Sequence, residues 1–217
     1  MTDTNTDKLH QDIAYYEKHI TAHALSVPFV LGCLLLTVGT IGVNLIHISW
    51  LTAVNLTLVM IHIIALWLII FEAHSTKKVY SKTLVALKMF KISAILNLVS
   101  FVVSFGLFGF DVLFYLSNIL QVILILGAIG GMAYVLVKYY FIAMFKVLDC
   151  IRFRMLTNSY APMEELGSFL AISYIGLGLT VVSALFSAES IVSPNAIFTM
   201  ISSIGTLLCL YVLRHIE

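Results

Sequence analysis

Six stretches of the chain, each about as long as a membrane is thick and almost free of charge, constrain the fold more than anything else in the sequence. They run from Val27 to Ile46, Leu51 to Phe71, Ile92 to Phe110, Val112 to Val137, Gly167 to Ala188 and Pro194 to Leu213. A helix rising 1.5 Å per residue needs ~20 apolar residues to cross ~30 Å of hydrocarbon, and each stretch meets that length. Residues 92 to 137 are too long for one crossing. Phe108-Gly109-Phe110-Asp111 offers a turn and a charge to divide them, which predicts a tight hairpin at that point. The expected fold is therefore an all-α integral membrane protein with six transmembrane helices in a compact bundle. Charged residues make up only 11% of the chain and mean hydropathy is +1.05, whereas a water-soluble domain carries roughly 25% charged residues. A soluble fold is excluded. Six spans consume more than half of a 24.1 kDa chain, so residues 26–217 are expected to form one transmembrane domain.

Orientation follows from where the charges fall. With the N-terminus in the cytoplasm, the outer connections are His47 to Trp50, Gly109 to Asp111 and Glu189 to Ser193, and none contains Lys or Arg. All 12 basic residues then lie on the inner side or at inner helix ends, as the bias of membrane proteins toward cytoplasmic cations requires. The expectation is a multi-pass protein of the cell membrane with both termini cytoplasmic. Residues 1–25 carry Leu9, Ile13, Tyr16, Ile20 and Ala24 at helical intervals among charged residues, which predicts a short amphipathic helix lying on the cytoplasmic membrane surface. No secretory signal pattern opens the chain.

Two longer cytoplasmic connections, Glu72 to Lys91 and Lys146 to Leu166, are alike in kind. Tyr80, Ile92 and Ser93 recur as Tyr160, Ile172 and Ser173 at an offset of 80, a match too sparse to establish a repeat. Glu164-Glu165, with Asn158, Pro162 and Gly167 around it, reads as a polar turn entering a helix at its N-terminus.

Polar side chains within the spans carry the functional information, because an unpaired polar group in hydrocarbon costs several kcal/mol and must face protein or water. In the first span Thr37, Thr40, Asn44 and His47 share one helix face, as do Ser93, Asn97, Ser100 and Ser104 in the third. Asn55 and His62 align on the second, Asn118 and Gln121 on the fourth, Ser173, Gly176, Thr180, Ser183 and Ser187 on the fifth, and Thr199, Ser202, Thr206 and Cys209 on the sixth. For the Ser, Thr and Gly positions, close helix approach is the favoured explanation, with Gly127 and Gly131 forming a GxxxG packing pair. For Asn44, Asn55, His62, Asn97 and Gln121, a solute cavity competes evenly with interhelical bonding. His62 is the one ionisable residue near the middle of a span, and a neutral imidazole offers one donor and one acceptor there.

The remaining chemistry narrows by elimination. Cys33, Cys150 and Cys209 form no CxxC pair, and no HExxH, GxSxG, P-loop or intramembrane carboxylate pair is present. His19 and His23 have a ligand spacing, yet solvated or interfacial histidines are the default, so no metal and no cofactor is expected. The leading functional expectation is a subunit that binds or transports a small solute through a polar intramembrane cavity. The alternative is an accessory or regulatory protein contacting a partner through basic cytoplasmic residues, among them Lys77, Lys78, Lys82, Lys146, Arg152 and Arg154. A membrane-embedded enzyme ranks third. Membrane lipid, a small solute, a second copy and partner subunits are the expected contacts; nucleic acid is not.

Overall fold

The computed structural model describes residues 21–46, 50–76, 81–115, 118–157, 162–187 and 193–215. They form helices α1 (Val27–Ile46), α2 (Trp50–Thr76), α3 (Ser81–Tyr115), α4 (Ile119–Leu136), α5 (Ala143–Thr157), α6 (Leu166–Ser187) and α7 (Pro194–Arg214). A π-helical segment, Val137–Ile142, joins α4 to α5 in one continuous rod. Counted as rods, six helices are long and apolar enough to cross a membrane, and no strand occurs among the described residues. The chain is a polytopic all-α membrane protein. Of the amphipathic helix predicted over residues 1–25, only the last turn is described; there Thr21 and Ala24 are buried and Ser26 Oγ donates to the His23 carbonyl at 2.7 Å.

Two boundaries differ from the expectation. The hairpin does not turn at Gly109: α3 runs through Phe108, Gly109, Phe110 and Asp111 to Tyr115, and α4 starts at Ile119. One glycine inside a helix costs only ~1 kcal/mol relative to alanine, too little to end a long apolar rod. Asn118 provides the start of α4, because its extended backbone (φ −112, ψ 123) lets its side chain accept the Leu120 N–H. Asn118 is thus a cap and not a member of an intramembrane stripe. The long connections also shrink. With no Gly or Pro between 81 and 105 or between 143 and 157, helix formation passes the basic residues and leaves only 77–80 and 158–165 between the rods. Lys82, Lys88, Lys91, Lys146, Arg152 and Arg154 consequently stand on helices and not on loops.

Packing is uneven around the bundle. The closest pair is α1 against α7, and its basis is glycine. Gly32, Gly39 and Gly42 are buried on α1 and Gly205 on α7. A methyl placed on Gly32 would lie 2.8 Å from the Gly205 carbonyl oxygen, and one on Gly39 would lie 2.7 Å from both Phe198 O and Ser202 Cα. Removing those methyls lets the backbones touch, which substitutes dispersion for the hydrophobic drive that lipid cannot supply. Along the same seam Thr40 and Ser202 hydroxyls meet at 3.3 Å, and the free thiols of Cys33 and Cys209 stand 3.9 Å apart. A second core gathers Ala143, Val147, Met163, Leu166, Phe169, Leu170 and Leu210 from α5, α6, α7 and the turn before α6. The π-helical segment faces this core, with Phe141 buried, Tyr140 stacked 5.4 Å from Phe169, and Phe141 5.7 Å from Phe101. A π turn re-aims a helix face: α4 before it buries no residue, whereas α5 after it buries Ala143, Val147 and Met155.

Candidate functional site

Several of the hydroxyls in the predicted stripes are spent locally. Thr37, Ser173, Thr180, Thr199 and Thr206 each donate to the carbonyl four residues back in their own helix, so these positions offer a ligand little. In the seam between α1 and α7 the Thr40 and Ser202 hydroxyls meet each other, and Trp67 of α2 joins α1 by donating Nε1–H to Thr37 Oγ1 at 3.1 Å.

The strong polar candidates separate. Asn44 donates its amide to the Thr40 carbonyl at 2.8 Å, within α1. Gln121 is exposed on α4, away from any interior. The side chain of Asn55 lies outside the described residues. A methyl added to Gly127 or Gly131 would meet nothing within 4 Å among the described residues, so these glycines pack against none of the described helices. What remains together is the contact between α2 and α3.

That contact centres on His62, the thirteenth residue of the 27-residue α2. Its Nδ1 stands 2.9 Å from Ser93 Oγ of α3 and 3.2 Å from the Leu58 carbonyl oxygen, while Ser93 Oγ also lies 3.2 Å from that oxygen. Ser93 is fully buried, and the Phe90 ring packs 5.6 Å from the imidazole centroid. His62 is itself half-buried, and its Nε2 has no hydrogen-bond partner among the described residues. One turn beyond Ser93, half-buried Asn97 makes no side-chain hydrogen bond among the described residues either. Two polar groups with unspent bonding capacity therefore neighbour the same helix contact, in a solvent that offers nothing in return.

A feature that the sequence did not announce holds this hairpin together. Glu72, near the end of α2, is 3% exposed, and its carboxylate accepts from Lys82 N, Thr83 N and Thr83 Oγ1 at 2.7 Å each and from Ser81 Oγ at 3.1 Å. Those donors are the orphan amides and hydroxyls of the first turn of α3, so the carboxylate caps a neighbouring helix and complements its dipole. No local pattern marks it, because the familiar capping acid lies after the helix start, whereas this one lies nine residues before Ser81.

At the same end of the bundle, two of the predicted contact cations, Lys146 and Arg154, are already engaged, and so is Lys91, which was not among them. Lys91 of α3 pairs with Asp149 of α5 at 2.8 Å, and Lys146 of α5 pairs with Glu165 before α6. The Lys146 ammonium holds the Glu165 carboxyl below its usual value. Arg154 also has a partner. The side chains of Lys82, Lys88 and Arg152 are exposed; Lys77 and Lys78 lie outside the described residues. Lys138 marks a boundary of a different kind. It is exposed beside the Tyr134 hydroxyl (3.0 Å) and above the Tyr139 ring (5.2 Å), about 28 Å along the rod from Ile119 at 1.5 Å per residue. A lysine reaching out between tyrosines suits the edge of the hydrocarbon. Comparison of the chain with protein-family models, curated proteins and solved structures returns no match, so its function must be read from its own chemistry.

Proposed function

We propose that this membrane protein binds or carries a small polar solute at the α2/α3 contact, with His62 as the group that meets it. The observation that carries the reading is a mid-helix imidazole anchored through one nitrogen while the other has no protein partner among the described residues. A histidine serving cohesion alone would gain by engaging both nitrogens, because each polar atom left open to hydrocarbon is costly. Asn97, one helical turn away with its amide unengaged among the described residues, extends the polar surface. The proposal includes a cell-membrane location with the basic helix ends and both termini in the cytoplasm, supported by the charge bias of the connections.

Native mass spectrometry of the protein released from its own membranes tests the reading. A solute-sized adduct is expected on the wild type, lost from His62→Ala while that variant keeps the wild-type unfolding midpoint to within a few degrees. An adduct indifferent to His62→Ala, or none on the wild type, would end the proposal. A second reading, a subunit of a larger membrane assembly, is favoured by α4: its 18 residues include none that is buried, and exposed Lys82, Lys88 and Arg152 stand at the basic end. Co-purification of a stoichiometric partner would favour it.

A further inference from the structure

The three-way contact at His62 fixes more than the position of the ring. Leu58 O, Ser93 Oγ and His62 Nδ1 lie within 2.9 to 3.2 Å of one another, and a carbonyl oxygen only accepts. Two hydrogens serve three close pairs when Nδ1 carries a proton. Nδ1–H then points at Ser93 Oγ and Leu58 O together, and the Ser93 hydroxyl donates to Leu58 O. With Nδ1 unprotonated, one hydrogen is left for the triangle. The Ser93 hydroxyl can donate to Nδ1, but Nδ1 then faces Leu58 O lone pair to lone pair, and Ser93 Oγ faces the same oxygen with no hydrogen between. Ser93 is fully buried, so no water relieves either repulsion, and electrostatic penalties are large in a low-dielectric setting.

We infer that Ser93 and the Leu58 carbonyl lock His62 as the Nδ1–H tautomer, which turns the open Nε2 into a hydrogen-bond acceptor and makes the site one for groups that bring an N–H or O–H. Ser93 is on this account a positioning residue: it acts on a ligand only through the imidazole. The class of solute follows from the lone pair at Nε2. Hydroxyl, amide and ammonium groups are attracted to it, whereas carboxylates and carbonyl oxygens are repelled while the ring is neutral. The amide of Asn97, a turn along α3, supplies both a donor and an acceptor for the rest of such a molecule. The ligand class rests on the solute-binding reading above, but the tautomer does not, since it is set by three groups of the protein.

The experiment therefore uses no solute. Histidine-selective ¹⁵N labelling of the whole protein in bicelles, at a pH where the ring is neutral, distinguishes the protonated from the bare ring nitrogen by chemical shift. The His62 signal is identified by its loss in His62→Gln, or in His62→Asn should the first variant not fold. The wild type is expected to show Nδ1 protonated and Nε2 bare. Ser93→Ala removes the nearer acceptor and should shift the tautomer ratio toward Nε2–H by about 3- to 10-fold, the worth of one ordinary hydrogen bond. A wild-type ring protonated at Nε2 would overturn the inference, and so would a tautomer ratio unchanged in Ser93→Ala. Because the wild-type spectrum decides the tautomer, the test survives even if Ser93→Ala does not fold. Its failure would leave the adduct experiment untouched, and failure of the adduct experiment would leave the tautomer standing.

Discussion

Two substitutions of the same chemistry should act in opposite directions. Gly39→Ala places a methyl 2.7 Å from Phe198 O and Ser202 Cα, where ordinary contact begins at 3.4 Å. The obstructing atoms are backbone, with Ser202 N nearer still, so relief requires α1 and α7 to separate by at least ~0.7 Å at that level, the difference of those two distances. A gap of that size forfeits a quarter to a half of each dispersion contact along the seam. It also stretches the 3.3 Å contact between Thr40 and Ser202 beyond hydrogen-bonding range, a loss of about 0.6 kcal/mol for a bond inside a membrane. With overpacking at about 1–3 kcal/mol, the expected destabilisation is about 2–3 kcal/mol. Gly127→Ala adds its methyl where nothing lies within 4 Å, and the helix gains up to about 1 kcal/mol from reduced backbone freedom. Unfolding by sodium dodecyl sulfate in mixed micelles, followed by helical circular dichroism, measures both. Equal destabilisation by the two would refute the assignment of the seam to α1 and α7. A loss for Gly127→Ala that shrinks as the protein is diluted would instead return Gly127 and Gly131 to the packing role predicted for them, between copies of the chain.

Glu72→Ala strips the cap from α3, leaving the Lys82 and Thr83 amides and the Thr83 hydroxyl without their acceptor. Charge-assisted bonds and a lost helix cap together predict about 2–4 kcal/mol of destabilisation, with Glu72→Gln near half of that because one oxygen remains to accept. A loss below about 0.5 kcal/mol in the same micelle assay would show the cap to be ornamental. At Glu165, before α6, the Lys146 side chain holds the carboxyl below its reference value of 4.5. A carboxyl depressed in the folded state adds stability that is present above 4.5 and is lost as pH falls through its folded value. The pair is solvent-accessible, so the effect should be well under ~1 kcal/mol and weaken with salt. Glu165→Gln should flatten the acid limb of a stability-against-pH curve, and a limb unchanged in that variant would exclude the pair as its source.

What could be read from the chain before folding depended on whether the responsible force acts locally. Hydrocarbon burial does, so the apolar runs 27–46 and 194–213 predicted α1 and α7 almost to the residue. Helix ends are less local. A lysine or arginine halts membrane burial and not helix propagation, which is why α3 begins eleven residues before Ile92 and α5 ends at Thr157, both inside segments read as loops. Pairing between helices is not local at all. The face bearing Thr37 and Thr40 and the face bearing Ser202 and Cys209 were legible as stripes, but nothing in either says that they meet. The Gly32, Gly39 and Gly42 spacing, seven and three apart, carried a packing signal at least as strong as Gly127 and Gly131, and only the bundle distinguishes the set that found a partner.

Helix register joins the buried acid to the candidate site. His62 lies ten residues before Glu72 on α2, and Ser93 lies ten residues after Thr83 on α3. In antiparallel helices of equal rise, the contact of Glu72 with Thr83 at one level brings His62 opposite Ser93 about 15 Å further along. A shift of one residue would turn Ser93 about 100° away and offer the imidazole an aliphatic neighbour, Ile92 or Ala94. Glu72 thus acts on the site without touching it: the carboxylate that lies in the last turns of one helix and caps the start of the next sets the register in which a serine can hold a histidine by one nitrogen and leave the other open.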